Sequence, residues 1–270
     1  MPVKVTKNNQ PLMYKQWQFP GGEIGIQLLD TDIKPSDNIL VKIYGIPTFD
    51  DLMVVAQLGD AIKSFKEVTH RTRLWIPYLP YARQDRACNA GEAFALKVFM
   101  QMLDPIVLSY YSVCEISDVH SEVMHSFNLD GFYQTHPQWV LAGATVNYDW
   151  YDYLVAPDKG ARSKAEAYGH ANLVTLNKVR KDGRIIYEDF TEQELSGKVL
   201  VVDDICDGGG TFISLIEMLK KNQPGIKQID LYVTHGIFSK GVEVLLDAGY
   251  TTVFTYNDMT GRNKISYSKE

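Results

Sequence analysis

Val201-Val202-Asp203-Asp204-Ile205-Cys206-Asp207-Gly208-Gly209-Gly210-Thr211 is the stretch that decides the fold. The apolar run from Val199 to Val202 reads as a parallel strand covered on both faces. Two carboxylates, Asp203 and Asp204, follow at its carboxyl end. Asp207, three glycines and Thr211 come next, then Phe212, Leu215, Ile216 and Leu219 at the spacing of one helix face. The order is strand, acidic pair, glycine loop, helix. Glycines let the backbone approach a bound group closely, and a helix start offers free N–H groups and a positive dipole end. The loop Asp207, Gly208, Gly209, Gly210 and Thr211 therefore suits a phosphate. The acidic pair repels phosphate and suits sugar hydroxyls or a metal. Together they describe a site for a phosphorylated sugar rather than a surface turn with a capping aspartate. No Gly-Lys-Ser/Thr occurs here, so the common nucleotide P-loop is excluded.

This stretch resembles the phosphoribosyl-diphosphate-binding motif of the type I phosphoribosyltransferase fold. That resemblance leaves two classes open: transferases that consume phosphoribosyl diphosphate, and synthetases that make it.

The remaining chain has room for either. Its 270 residues allow one large domain or two ordinary ones, and 45% hydrophobic content can bury a real core. A formal charge of −6 argues against a general nucleic-acid binder. Cys88, Cys114 and Cys206 are odd in number and show no paired metal spacing, so a reducing cytoplasm is expected. Cys206 reads as a small buried side chain rather than a nucleophile. No apolar run is long enough to span a membrane, and the polar start is no signal peptide.

Hydrophobic patterning predicts strands over Glu23–Leu29, Asn38–Ile46 and Leu74–Leu79, the first being the first ordered element. Asp50 or Asp51 is expected to cap a helix carrying Leu58, Ile62 and Phe65. A further helix shows Ala95, Val98, Phe99 and Met102 on one face, and Ile106–Ile116 contains another strand. The plan then repeats: strands at Tyr153–Ala156, Leu173–Leu176, Ile229–Thr234 and, last, Thr252–Thr255, with helices between. Residues Asn177–Ser196 read as a long polar loop. Strands alternating with helices predict an α/β fold of two tandem doubly wound parallel-sheet domains, 1–140 and 141–270.

Tyr78-Leu79-Pro80-Tyr81-Ala82-Arg83-Gln84-Asp85-Arg86 decides between the two classes. From the residues alone, Arg83 either forks onto phosphate or a base, or pairs with Asp85 at the surface. The whole segment strongly resembles the ATP-binding segment of ribose-phosphate pyrophosphokinases. Phe19-Pro20-Gly21-Gly22-Glu23 is similar to that family's Phe-x-x-Gly-Glu element, with Gly21 where the family has Asn or Asp. The resemblance implies that Phe19, Glu23, Arg83 and Gln84 hold ATP, Phe19 typically reaching the adenine of a neighbouring subunit, and hence a homo-oligomer.

Three more segments carry the same resemblance. Asp118-Val119-His120 looks like the family's Asp-Leu-His triplet, which serves Mg²⁺ and the ATP phosphates. Pro157-Asp158-Lys159-Gly160-Ala161-Arg162 resembles the diphosphate loop, in which Asp158 meets a metal; Ala161 stands where a second glycine is usual. Lys178 and Arg180 occupy the place of the catalytic Lys-x-Arg. Tyr232-Val233-Thr234-His235-Gly236-Ile237-Phe238-Ser239 is close to the family's Thr-His-Gly-x-Phe-Ser signature, a support for the sugar site.

The resemblance covers residues 19 to 258 in order and implies an ATP-dependent diphosphotransferase acting on ribose 5-phosphate. Lys178, Arg180 and His120 are its expected catalytic residues, and Asp118, His120 and Asp158 its Mg²⁺ residues. Asp203, Asp204 and the loop Asp207–Thr211 are expected at the ribose phosphate. Glycine at 208 removes a hydroxyl that the family loop has and widens the loop, so a 5-substituted ribose such as ADP-ribose is the alternative acceptor. A phosphoribosyltransferase and a non-catalytic regulatory subunit are the readings from other classes.

Overall fold

The computed structural model describes residues 2–45, 47–65, 71–117, 127–181, 184–188 and 194–269, with the side chains of 179–181, 184–186 and 188 left aside. The chain divides into two compact units, Met1–His136 and Pro137–Glu270.

The first unit contains β1 (Val3–Lys7), β2 (Gln10–Pro11), β3 (Tyr14–Gln18), β4 (Ile24–Leu28), β5 (Ile39–Ile43), α1 (Phe49–Lys63), β6 (Thr72–Ile76), α2 (Ala95–Tyr110), β7 (Val113–Ser117) and β8 (Tyr133–His136). Its main sheet has the order β2-β1-β5-β6-β7-β8, parallel from β5 to β8. Ordered structure thus begins before Glu23. Val3 and Val5 are two isolated apolar residues among lysines, a weak local signal, and pairing with β5 makes them a strand, Val5 opposite Val41. β3 and β4 form a separate hairpin.

Two helix expectations need correction. Thr48, not Asp50 or Asp51, caps α1; Asp51 closes the capping box by accepting the Thr48 N–H at 2.7 Å. In α2 the buried stripe is Leu96, Phe99, Met100, Leu103 and Val107, while Val98 and Met102 are 51% and 46% exposed. This helix is apolar around most of its circumference, so spacing alone could not choose the face. It also runs past Pro105 to Tyr110, and the expected strand is confined to β7.

The second unit contains α3 (Gln138–Gly143), β9 (Tyr153–Ala156), α4 (Lys159–Glu166), β10 (Leu173–Thr175), β11 (Asn177–Lys181), β12 (Arg184–Glu188), β13 (Gly197–Cys206), α5 (Gly210–Asn222), β14 (Ile226–Gly236), α6 (Glu243–Ala248), β15 (Thr252–Asp258) and β16 (Ser266–Ser268). Its sheet runs β10-β9-β13-β14-β15-β16, parallel except at β16. The strand order reverses between β9 and β13. Right-handed crossovers on either side of that reversal place helices on opposite faces, and the core divides accordingly. Leu215, Ile216 and Leu219 of α5 pack on one face of the sheet, and Ala161 and Ala165 of α4 on the other.

Residues expected as a long polar loop instead form the antiparallel ribbon β11–β12, with Lys178 opposite Tyr187. Charged residues outnumber the apolar Val179, Ile185 and Ile186 here, so no strand pattern stands out in the sequence. Thr252–Thr255 is not the last strand, because β16 adds to that edge through Val253 and Tyr267. No helix among the described residues is long and apolar enough to cross a membrane.

Candidate active site

In open α/β sheets ligands bind outside the carboxyl ends of the strands, where the strand order reverses. In the second unit that point lies between β9 and β13. The loop after β9 carries Asp158, and the end of β13 carries Asp203, Asp204 and the glycine loop.

β13 is longer than its apolar run. It continues through the acidic pair to Cys206, because β14 beside it supplies partners as far as Gly236. Asp203 and Asp204 therefore stand inside the strand and point to opposite faces. Asp204 is buried and receives Lys164 Nζ at 3.3 Å; Asp203 Oδ1 accepts the Asp204 N–H at 2.9 Å. Burial, and then the Asp204 charge, push the Asp203 carboxyl well above its usual range.

Asp158 is the N-cap of α4, its Oδ1 accepting the Ala161 N–H at 2.9 Å. Lys178, the second residue of β11, forms an ion pair with Asp158 Oδ2. Burial alone raises the Asp158 carboxyl, but the Lys178 hydrogen bond and the loop amides outweigh it and hold the group below the ordinary range. The ribbon is also tied to the glycine loop, since Tyr187 OH donates to Thr211 O at 3.2 Å. Burial first, then Asp158 and Asp203, push the Tyr187 phenol up.

The glycine loop has three different glycines. Gly209 sits at φ 77° as the N-cap of α5, where any other residue is strained. A Cβ on Gly208 has the Lys240 stem as its nearest neighbour, Cε at 3.5 Å, and a Cβ on Gly210 meets nothing within 4 Å. The following loop is stitched to this one. Ile237 N and Phe238 N donate to Cys206 O at 2.9 and 3.1 Å, and Ser239 N donates to Asp207 O at 3.2 Å. Phe238 adopts φ 49°, and its ring fills the space where a Cβ on Gly236 would stand, 2.2 Å away. The His235–Ser239 segment thus braces the glycine loop. Cys206 is buried in this support, its thiol pushed up to about 12 by burial and by Asp203 and Asp207.

In the first unit, Phe19 and Glu23 flank the turn of the β3–β4 hairpin, closed by Phe19 N to Glu23 O at 2.8 Å. Phe19 is 49% exposed and makes an edge contact with Trp17. Arg83 and Gln84 lie exposed beyond the carboxyl end of β6. They follow Tyr81, whose φ of 63° is unusual for so large a residue and which accepts the Gln84 N–H at 2.8 Å. Asp85 pairs with Arg86 at 3.5 Å, and Arg83 makes no ion pair among the described residues. No hydrogen bond among the described residues joins Phe19 or Glu23 to Arg83 or Gln84.

Asp118 and His120 lie outside the described residues, as does the side chain of Arg180. Among the described residues, no group of three or more His, Cys, Asp or Glu is placed to share a metal. Sequence reading missed Lys164 and Tyr187. Each belongs to the site through a contact across many residues, and neither stands in a motif.

Comparison with known proteins agrees along the chain. The model of the N-terminal domain of ribose phosphate pyrophosphokinase matches residues 6–106. Ribose-phosphate pyrophosphokinase of Pyrococcus abyssi is 30% identical over 236 residues, 83% of this chain and 76% of the relative. The Pyrococcus furiosus enzyme of the same name is 28% identical over 263 residues, 94% of this chain and 88% of the relative. A crystal structure of phosphoribosylpyrophosphate synthetase from Mycobacterium smegmatis superposes with a TM-score of 0.70 at 21% identity, covering 94% of this chain and 84% of that one, a likeness of fold.

Proposed function

The chain belongs to the ribose-phosphate pyrophosphokinase family, and on that premise we propose that it transfers the β,γ-diphosphoryl group of ATP to the C1 hydroxyl of ribose 5-phosphate. The C1 oxygen bonds to the β-phosphorus and the bond from that phosphorus to the α,β-bridging oxygen breaks. AMP leaves, the C1 hydroxyl loses its proton, and phosphoribosyl diphosphate forms. The observation that carries the reading is the gathering of Asp158, Lys178, Asp203 and the glycine loop at the strand-order reversal of the second unit.

Asp203 and Asp204 orient the ribose 2- and 3-hydroxyls. The N–H groups of the loop Asp207–Thr211 and the start of α5 hold the 5-phosphate. Lys178 stabilises the charge that develops on the transferring group, the role that the family resemblance also gives to Arg180 and His120. Arg83, Gln84, Phe19 and Glu23 hold ATP, the strained Tyr81 fixing the direction in which Arg83 and Gln84 leave the sheet. The exposed Phe19 suits contact with a neighbouring copy in a homo-oligomer. The cytoplasm fits three free cysteines.

The donor set fits Mg²⁺, a cation that prefers carboxylate oxygen. The Asp204 and Asp158 charges raise the cost of ionising Asp203, and a divalent cation relieves it. Asp118 and His120 would serve one such ion and Asp158 a second. When bound it neutralises phosphate charge.

Incubation of the purified chain with ATP, ribose 5-phosphate and Mg²⁺ tests the reading. AMP and phosphoribosyl diphosphate in equal amounts support it. Diphosphate release from phosphoribosyl diphosphate plus a base supports a transferase instead, and an inert chain that alters a second subunit's rate supports a regulatory role. The open space at Gly210 keeps a second acceptor in view, a 5-substituted ribose such as ADP-ribose. Competition between the two acceptors at equal concentration, with products read by mass, separates them.

A further inference from the structure

The family-like loop has a hydroxyl residue after its first aspartate, and this chain has Gly208 there. A Cβ at 208 would fit at ordinary contact distance beside the Lys240 stem, whereas a larger branched side chain would reach into it. Lys240 Cγ, Cδ and Cε pass 3.8, 3.6 and 3.5 Å from the position of a Cβ on Gly208, a van der Waals fit along the whole stem. A lysine from the next strand-to-helix connection therefore borders the open position at 208.

Two features fix that lysine in place. The backbone before it is bound to the phosphate loop, through Phe238 N to Cys206 O at 3.1 Å and Ser239 N to Asp207 O at 3.2 Å. The backbone after it turns at Gly241, φ 80°, whose N–H donates to Phe238 O at 2.8 Å. Lys240 is exposed and has no ion pair among the described residues. Lys164 and Lys178, by contrast, are each spent on an aspartate of the same site. The Lys240 stem passes beside the Gly208 position, so the ammonium group one bond beyond Cε stays near a loop whose N–H groups favour an anion.

We propose that Lys240 is a further binding residue, whose ammonium group clamps the 5-phosphoryl group of the acceptor onto the Gly208–Thr211 loop in place of the missing hydroxyl. This rests on the ribose-phosphate reading of that loop. Glycine at 208 leaves room beside the loop, and the Lys240 stem borders that room. The gain is a full charge against a phosphate oxygen instead of a neutral hydrogen bond, so affinity depends on ionic strength through this residue.

The test is calorimetric titration of the whole chain with ribose 5-phosphate, and separately with ATP, for the natural protein, Lys240→Met and Lys240→Arg. Methionine keeps an unbranched stem over Gly208 and removes the charge. Ribose 5-phosphate is expected to bind about tenfold more weakly to Lys240→Met, with the salt dependence of its affinity reduced. Lys240→Arg restores most of the loss, and ATP affinity is the same in all three. Equal ribose 5-phosphate affinity in Lys240→Met overturns the inference, as does a parallel loss of ATP affinity, which marks a structural role. If the natural chain binds ribose 5-phosphate with Lys240 dependence yet releases no AMP from ATP, the proposed reaction fails and the clamp stands. If AMP is released but binding ignores Lys240, the reaction stands and the clamp fails.

Discussion

Lys178 on β11 and Asp158 at the N-cap of α4 are joined by an ion pair, so the ribbon and the loop after β9 meet at one charged contact. The pair holds the Lys178 ammonium toward the strand-order reversal rather than toward solvent. Its two side chains are 20% and 26% exposed. Lys178→Ala is expected to lower turnover by about 10²–10³-fold, while Asp158 keeps its Ala161 N–H and the fold survives. AMP release and thermal melting check both halves. A normal rate with a normal melt removes Lys178 from the mechanism.

The glycines of the phosphate loop should separate by substitution. Gly209→Ala places a Cβ in left-handed backbone, φ 77°, and 3.1 Å from Leu245 Cδ2. It is expected to destabilise the chain by about 1–2 kcal/mol and to weaken ribose 5-phosphate binding. Gly208 has no left-handed φ and its Cβ meets Lys240 Cε at an ordinary 3.5 Å. Gly208→Ala should therefore change stability by less than about 0.5 kcal/mol. Urea melts of both variants decide it; equal losses contradict the conformational account.

Asp258 at the end of β15 accepts N–H groups from Thr260 and Lys264 and hydroxyls from Thr260 and Tyr267, at 2.7 to 3.0 Å. Burial raises its carboxyl, but these donors outweigh that and hold it below the ordinary value of 3.8. A depressed carboxylate contributes stability above its unfolded value, and loses it as pH falls through the folded one. Asp258→Asn is expected to cost about 1 kcal/mol at pH 7, and the gap from the natural chain should close in strong acid. A gap that stays constant with pH assigns the loss to packing.

Thiol chemistry should follow burial. Cys88 is exposed, whereas Cys114 and Cys206 are buried. Burial holds the Cys206 proton to about 12, with Asp203 and Asp207 adding to it. Near pH 8 a thiol reagent is expected to modify Cys88 alone, and Cys88→Ser should abolish the fast phase. Rapid modification of Cys206, read by peptide mass, means that the phosphate loop opens in solution.

The sequence by itself determined the alternation of strands and helices, the glycine loop before a helix and the acidic pair. These signals are local: an unbroken apolar run, glycines before an amphipathic helix, carboxylates at a strand end. Phe212, Leu215, Ile216 and Leu219, read as one face from spacing alone, are all buried in α5. Tertiary structure decided what depends on partners far along the chain. Val3 and Val5 are a strand because β5 pairs with them, and β13 extends through Asp203 and Asp204 because β14 lies beside it. The buried stripe of α2 was set by what it packs against, since its own circumference offered several. Lys164, Tyr187 and Lys240 reach the site through contacts 40, 24 and about 30 residues away in sequence. Periodicity records a residue's neighbours within a turn or a strand, whereas a charge held against a distant carboxylate or glycine leaves no local pattern.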